Sequence, residues 1–326
     1  MPHEGEDELG ELFGRWEQSG ARSRERRQTA SRRRGLRLWP VAALAMAAFL
    51  VVLPLQGRKP RAAPIARFSI APPSVGTALV VDEAKKAPVP RARSLARAWR
   101  FARARGGDVS IAVVDSAGRL RGRRAGKRYV SASVVKAMLL AAELRRLRAS
   151  SEPLDPDTAG LLEAMITFSD NDAADAIYLR VGDAGLLEVA RRARMRRFGA
   201  QGYWASSEIT AADMARLFAR MPRLLPRPFR RAGLGMLAGV VEEQRWGIPE
   251  VAEPRWRVFF KGGWRATGVG KLVHQAALLR RGGRRIAIAV LTDGQPSHEY
   301  AVGTVQGTAR RLLRAGPRRA VADPHS

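Results

Sequence analysis

No cysteine occurs among the 326 residues, so disulfides, thiolate metal sites and thiol nucleophiles are all excluded. Histidine is nearly as scarce. His3, His274, His298 and His325 lie far apart, two of them close to the termini, which speaks against a histidine metal site and against a Ser-His-Asp triad. His274 reads better as a structural or surface histidine than as a triad member. Acidic residues are few, 30 against 58 basic ones, and the formal net charge is +28. Lysine is the rare basic type, found only at positions 59, 85, 86, 127, 136, 261 and 271. Arginine stays protonated in proteins, whereas a lysine that is desolvated or beside another cation can lose its proton. Each lysine kept by so arginine-rich a chain therefore raises the question of whether a titratable amine is needed there.

Such an excess of positive charge can serve nucleic acid or another anionic polymer. The arginines are nevertheless scattered along most of the chain, with few aromatics between them. The densest run outside the N-terminus is "ARRARMRRFG", residues 190–199. A solvated arginine-rich surface is the better reading, and no specific nucleic-acid partner is expected.

Long uncharged runs are also rare, and the one present is informative. Residues 1–37 are polar and basic, ending in "SRRRGLR", and "LWPVAALAMAAFLVVLPL" (38–55) follows with eighteen residues and no charge. At 1.5 Å per residue such a helix spans about 27 Å, enough to cross a bilayer core. Arg37 and the Arg58-Lys59 pair bracket it, and "QGRKPR" after it makes a poor signal-cleavage site. The basic cluster before it favours the cytoplasmic side for residues 1–37. "SRRRGLR" partly resembles a twin-arginine export signal, with Gly35 where that pattern prefers a bulky apolar residue. The expectation is a single-pass membrane anchor at 38–55 with the C-terminal part outside. Residues 56–93 form a linker rich in proline (Pro60, Pro64, Pro72, Pro73, Pro88 and Pro90). One globular domain follows over 94–315, then a tail over 316–326.

Within that domain, "SLARAWRFARAR" (94–105) reads as a short helix stopped by Gly106-Gly107. "VSIAVVDSAG" (109–118) reads as a strand and turn, with "RLRGRRAGKRYV" (119–130) as its hairpin partner. Residues 133–240 are largely helical. Strands return at 255–264, 271–280 and 284–294, the last two joined by Gly282-Gly283, and a helix covers about 299–314. Strands, a helical block, strands and a closing helix predict an α+β architecture. Its antiparallel sheet is made from both ends of the domain and accompanied by a helical subdomain.

The chemistry is to be sought in "YVSASVVKAMLLAAEL" (129–144). The helix over 133–148 is apolar on most sides and therefore buried. Ser133 sits at its N-terminus, where unpaired N–H groups and the helix dipole favour developing negative charge. Lys136 lies one turn on along the same face, within reach of the hydroxyl. Charging a lysine on so apolar a helix is costly, so its pKa should fall and it could accept a proton. Alone, the pair is better explained as an N-cap serine followed by a snorkelling lysine.

It does not stand alone. Only Lys136 has a serine three before it, only Lys261 has a glycine two after it, and between them lies the single Ser-Asp-Asn, Ser169-Asp170-Asn171. Ser-Val-Val-Lys, Ser-Asp-Asn and Lys-Gly-Gly in this order resemble the three motifs of the penicillin-recognising serine enzymes, in the branch of class A β-lactamases and D-Ala-D-Ala peptidases. "TAADMARL" (210–217) is similar to the helix after that family's omega loop, with Thr210 and Asp213 as a capping box, and "IAIAVLTDG" to its last strand.

The resemblance implies a β-lactamase/transpeptidase-like fold and the following roles. Ser133 attacks a carbonyl and forms an acyl-enzyme. Lys136 accepts its proton, and Ser169 relays a proton to the leaving nitrogen. Asn171 binds the substrate amide and Lys136, and Lys261 steadies Ser169, attracts a substrate carboxylate and helps keep Lys136 neutral. The backbone N–H groups of Ser133 and Trp264, beside Gly263, form an oxyanion hole. The implied partner is a β-lactam or a peptidoglycan stem peptide, with no cofactor and no metal.

Three features depart from the pattern. Gly262 lacks the usual hydroxyl of Thr or Ser, which Arg265 could replace. No Glu-x-x-Leu-Asn lies between Asn171 and Thr210, where the glutamates are Glu188 in an apparent helix and Glu208 as a first-turn dipole partner. Ser169 follows Ser133 by only 36 positions, so the helical subdomain is short. The first two leave a persistent acyl-enzyme, or a slow or inactive cell-wall-binding relative, as the expected outcomes.

Overall fold

The computed structural model describes residues 89–314. The expected tail over 1–37, the anchor over 38–55, nearly all of the 56–93 linker and the 316–326 tail lie outside the described residues. Among the described residues no helix is long and apolar enough to cross a membrane.

Helix α1 (Ala92–Ala102) leads into strand β1 (Asp108–Val114), and β2 (Leu120–Arg123) folds back on it. The hairpin is shorter than expected. Residues 128–130 leave it as β3 (Arg128–Val130) and pair instead with β4 (Glu208–Thr210) in a separate two-stranded sheet. The C-terminal strands are long: β5 (Arg257–Thr267), β6 (Gly270–Arg281) and β7 (Arg284–Gln295), followed by helix α8 (His298–Leu313). The main sheet is antiparallel in the order β2-β1-β7-β6-β5, so the N-terminal hairpin docks directly on the last strand. The α+β sheet drawn from both ends of the domain is thus present.

Alternation along the strands sends side chains to two cores. Val258 and Phe260 join Ile111, Ile288 and Val305 beneath α1 and α8, whereas Phe259 joins Leu278, Ala289 and the helical block on the other face. That block comprises α2 (Lys136–Ala149), α3 (Pro156–Thr167), α4 (Asn171–Ala193), α5 (Ala211–Leu224) and α6 (Arg230–Ala238), whereas the short α7 (Ile248–Ala252) packs in the other core beside α8. Helix α2 is buried on nearly every side, as its apolar composition requires. It begins at Lys136, though, and the serine lies in a preceding 3₁₀ turn over Ala132–Val135. Helix α4 is kinked at Gly182, whose φ of 56° and ψ of −170° interrupt the helix. Edge strand β5 lies against the serine turn and places the site between the sheet and the helical block.

Candidate active site

The serine turn is held from three directions. Ser131, fully buried, donates its hydroxyl to the carbonyls of Trp204 (3.1 Å) and Ala205 (3.3 Å). Ala132, immediately before Ser133, has φ 46°, a left-handed conformation that costs a non-glycine residue on the order of 1 kcal/mol or more. Gly263 of β5 closes the third side. A Cβ there would sit 2.5 Å from the backbone nitrogen of Val134 and 2.8 Å from that of Ser133. Only glycine lets the strand pass so close to the Ser133 amide, the group expected to stabilise an oxyanion.

Lys136 has no exposed surface. Its ammonium donates to the carbonyls of Ser169 (2.6 Å) and Asp170 (3.1 Å) and to Asn171 Oδ1 (2.7 Å), and lies 3.5 Å from Ser169 Oγ. The indole of Trp204 covers it, with Nζ 4.8 Å from the ring centroid. No hydrogen bond joins it to Ser133, one turn away. Burial is the main influence on this amine and lowers its pKa to about 7; the charges of Asp170, Asp175 and Asp172 oppose the shift without cancelling it.

Ser169 takes a left-handed φ of 61° just before Asp170, whose carboxylate caps α4 by accepting from the Ala173 amide at 2.9 Å. The sharp turn brings the three residues of the Ser-Asp-Asn motif around Lys136. Lys261, also without exposed surface, reaches Ser169 Oγ from β5 at 3.0 Å and donates to the Gly262 carbonyl at 3.2 Å. Burial first, and then the charge of Lys136, push its pKa well below the ordinary lysine range. Its hydrogen-bond partners, Ser169 Oγ and the Gly262 carbonyl, are both uncharged, so the charge expected to attract a substrate carboxylate stands in a desolvated environment.

Trp264 is half-buried and stacks edge-on with Trp246 (5.8 Å) and His298 (6.0 Å). Gly262 is not forced by crowding: a Cβ there would have the Trp264 ring as nearest neighbour, at 3.6 Å. Arg265, beyond Trp264, is exposed and donates to the Ala266 carbonyl at 3.4 Å.

Neither glutamate of the 171–210 stretch is at the site. Glu188 is engaged by Arg191 and Arg192 on the surface of α4. Glu208 belongs to β4 and pairs with Arg128 at 2.7 Å, rather than serving the first turn of a helix. The expected capping box is half formed. Thr210 Oγ1 accepts from the Asp213 amide, but the Asp213 carboxylate turns to the amides of Arg196 and Arg197 instead of returning to Thr210. His274 is structural, fully buried between the Val130 carbonyl and the Thr292 amide, and burial lowers its pKa to about 4. Trp204 and its anchor Asp175, which accepts from the indole Nε1–H at 2.7 Å, were not foreseen. Nothing in their spacing marks them, because the contact is made across a loop.

Comparison with known proteins bears on the family and the fold, and the family match begins after Ser133 and Lys136. The model of the β-lactamase enzyme family matches residues 147–315, slightly more than half of the chain and inclusive of Ser169, Asn171, Lys261 and Gly263. Among solved structures, a β-lactamase from Sphaerobacter thermophilus DSM 20745 is similar at TM-score 0.60 and 21% identity, covering 68% of this chain and 96% of that one. A class A β-lactamase from Mycobacterium abscessus is similar at TM-score 0.59 and 20% identity, covering 68% and 98%. An ancestral class A β-lactamase gives TM-score 0.58 and 24% identity, covering 68% and 98%. These likenesses speak for the fold. A search of curated proteins finds no match.

Proposed function

The chain belongs to the β-lactamase enzyme family, and on that premise we propose that it is a membrane-anchored, extracytoplasmic serine hydrolase forming an acyl-enzyme with β-lactams or peptidoglycan-type peptides. The observation that carries this reading is the convergence of Lys136 and Lys261 on Ser169 beside the strained Ser133 turn. Ser133 Oγ attacks the amide or lactam carbonyl while neutral Lys136 takes its proton. The oxyanion forms against the backbone N–H groups of Ser133 and Trp264. Ser169 passes a proton to the leaving nitrogen as the C–N bond breaks, and its hydroxyl is replenished from the lysine side. Asn171 holds both Lys136 and the substrate amide.

Stem peptides fit as the natural class better than penicillins do. The two glutamates between Asn171 and Thr210 are engaged by arginines away from the site, and Trp204 lies over Lys136, so neither glutamate serves as a base to activate water. The acyl-enzyme therefore persists. The anchor at 38–55, the linker over 56–93 and the catalytic domain over 94–315 are part of the same proposal and place the site outside the cytoplasmic membrane.

A second reading, a slow or inactive cell-wall-binding relative, is favoured by one observation: Lys136 spends its hydrogen bonds on residues 169–171 and makes none to Ser133. Incubation with a fluorescent penicillin separates the two. A covalent adduct that is lost in Ser133→Ala supports the enzyme, and no adduct with any β-lactam or stem-peptide thioester supports the binding relative.

A further inference from the structure

The arginines of this domain divide into two groups. Many are neutralised where they stand: Asp115 holds Arg119 and Arg121, Glu143 holds Arg146 and Arg180, and Glu188 holds Arg191 and Arg192. One end of the main sheet shows the opposite pattern. Arg257 stands opposite Arg280, Arg280 opposite Arg285, and Arg281 opposite Arg284 at the β6–β7 turn. Like charges directly opposed in an antiparallel ladder work against folding, and among the described residues none of the five meets a carboxylate.

The same end continues onto the helices. Arg255, just before β5, lines a groove with Arg310 of α8 and Arg314 just beyond its end. Those two, with Arg311, then face Arg97 and Arg100 of α1 across the next groove. Arg311 is held in place there, its guanidinium 3.9 Å over the Phe101 ring, which packs where Gly307 has no side chain. Glu250 and Glu253 line only the first of these grooves, where Arg245 pairs with Glu253 and Gln306 donates to Glu250; the second groove is lined by no carboxylate. Opposed guanidinium groups that outnumber the carboxylates beside them are stabilised by an external phosphate surface, which they bind in bidentate fashion.

The position of this end indicates which polyanion. Helix α1 runs from it towards Arg105, which bonds Tyr300 at the other end of α8. The chain therefore enters the domain at the arginine end, and the uncharged run 38–55 lies upstream of that entry. We propose that this end docks on the anionic phospholipid headgroups of the membrane in which residues 38–55 are anchored. Tethering raises the local concentration of the domain at the bilayer, and clustered arginines next to an anionic leaflet are drawn to it. The catalytic groove lies at the β5 edge and is left free.

The proposal rests on the anchor reading, and the test keeps the two apart. The full chain is reconstituted in discs of phosphatidylcholine alone or with phosphatidylglycerol, and amide hydrogen exchange is followed in α1 and α8. Exchange there slows on the order of tenfold in the anionic discs, and the effect disappears at roughly 0.5 M salt. The variant Arg280→Thr/Arg285→Thr loses part of this protection while melting at a higher temperature, which excludes misfolding as the cause. Equal exchange in both discs overturns the proposal, as does equal protection by duplex DNA at the same phosphate concentration in neutral discs. Alkaline extraction from neutral vesicles reads the anchor separately; release there, with protection by anionic vesicles retained, removes the anchor and leaves the docking surface standing.

Discussion

Lys136 and Lys261 approach a single hydroxyl: Ser169 Oγ is 3.5 Å from the first amine and 3.0 Å from the second. Both amines are buried, and burial leads the causes that lower each pKa. Two charged ammonium groups sharing one hydroxyl in a desolvated groove are mutually unfavourable, so a proton is readily surrendered there. This is the condition a lysine general base requires, and arginine could not meet it.

Acylation should therefore rise with pH through a midpoint near 7, the value to which the pKa of Lys136 is lowered. Single-turnover labelling by a fluorescent penicillin between about pH 5 and 9 reads this directly. Lys136→Arg loses the rising limb together with about 10²–10⁴ of the rate. A flat profile in the unaltered protein would remove Lys136 from the base role.

The same shift makes a stability prediction. Because the folded pKa of Lys136 is below that of the unfolded chain, the unfolded state binds the proton more tightly. Stability grows as pH rises from about 7 towards the ordinary lysine range, and is lost as pH falls through the folded value. Lys261 acts in the same direction. Urea titrations at several pH values should show a shallower slope in Lys136→Met.

The two glycines of the Lys-Gly-Gly motif should respond oppositely to alanine. At Gly263 the new Cβ meets backbone nitrogens at 2.5 and 2.8 Å that cannot move aside. Gly263→Ala pushes β5 from the oxyanion position, costing about 10²–10³ in acylation rate and about 1–3 kcal/mol of stability. At Gly262 the nearest atom is 3.6 Å away, and Gly262→Ala keeps both rate and melting temperature. Equal losses at the two positions would refute the close-approach argument.

Gly262→Thr restores the hydroxyl that the motif lacks, at a position where a Cβ meets its neighbours at ordinary contact distance. Faster acylation by penicillins bearing a free carboxylate, with release of the adduct still slow, is the expected result. Adduct lifetime measured by intact-protein mass spectrometry separates the two steps. Fast release in either protein would show that a base other than a class A-type glutamate activates water.

Much of this was legible in the chain. The scarcity of lysine singled out Lys136 and Lys261, and period-2 and helical patterning located the long strands and the buried helix. Hairpin β6–β7 was announced by Gly282-Gly283, both with positive φ. Errors fell where the outcome depended on distant partners. Residues 128–130 have the composition of a hairpin strand, but β4 offers them a ladder that β1 does not. Glu208 reads locally as a helix-start residue, yet it stands on that ladder opposite Val130 and pairs with Arg128.

The sequence by itself determined the α+β class, the order of the three motifs and the choice of lysine over arginine, because residue type and periodicity are local properties of the chain. Only the tertiary structure decided that Trp204 covers Lys136, that Gly263 rather than Gly262 is sterically required, and that arginines of different strands meet at one end of the sheet with no carboxylate partner among the described residues. Those outcomes depend on which surfaces the fold brings within a few ångströms of one another. Burial and Coulomb terms act over that distance in space and are indifferent to separation along the chain.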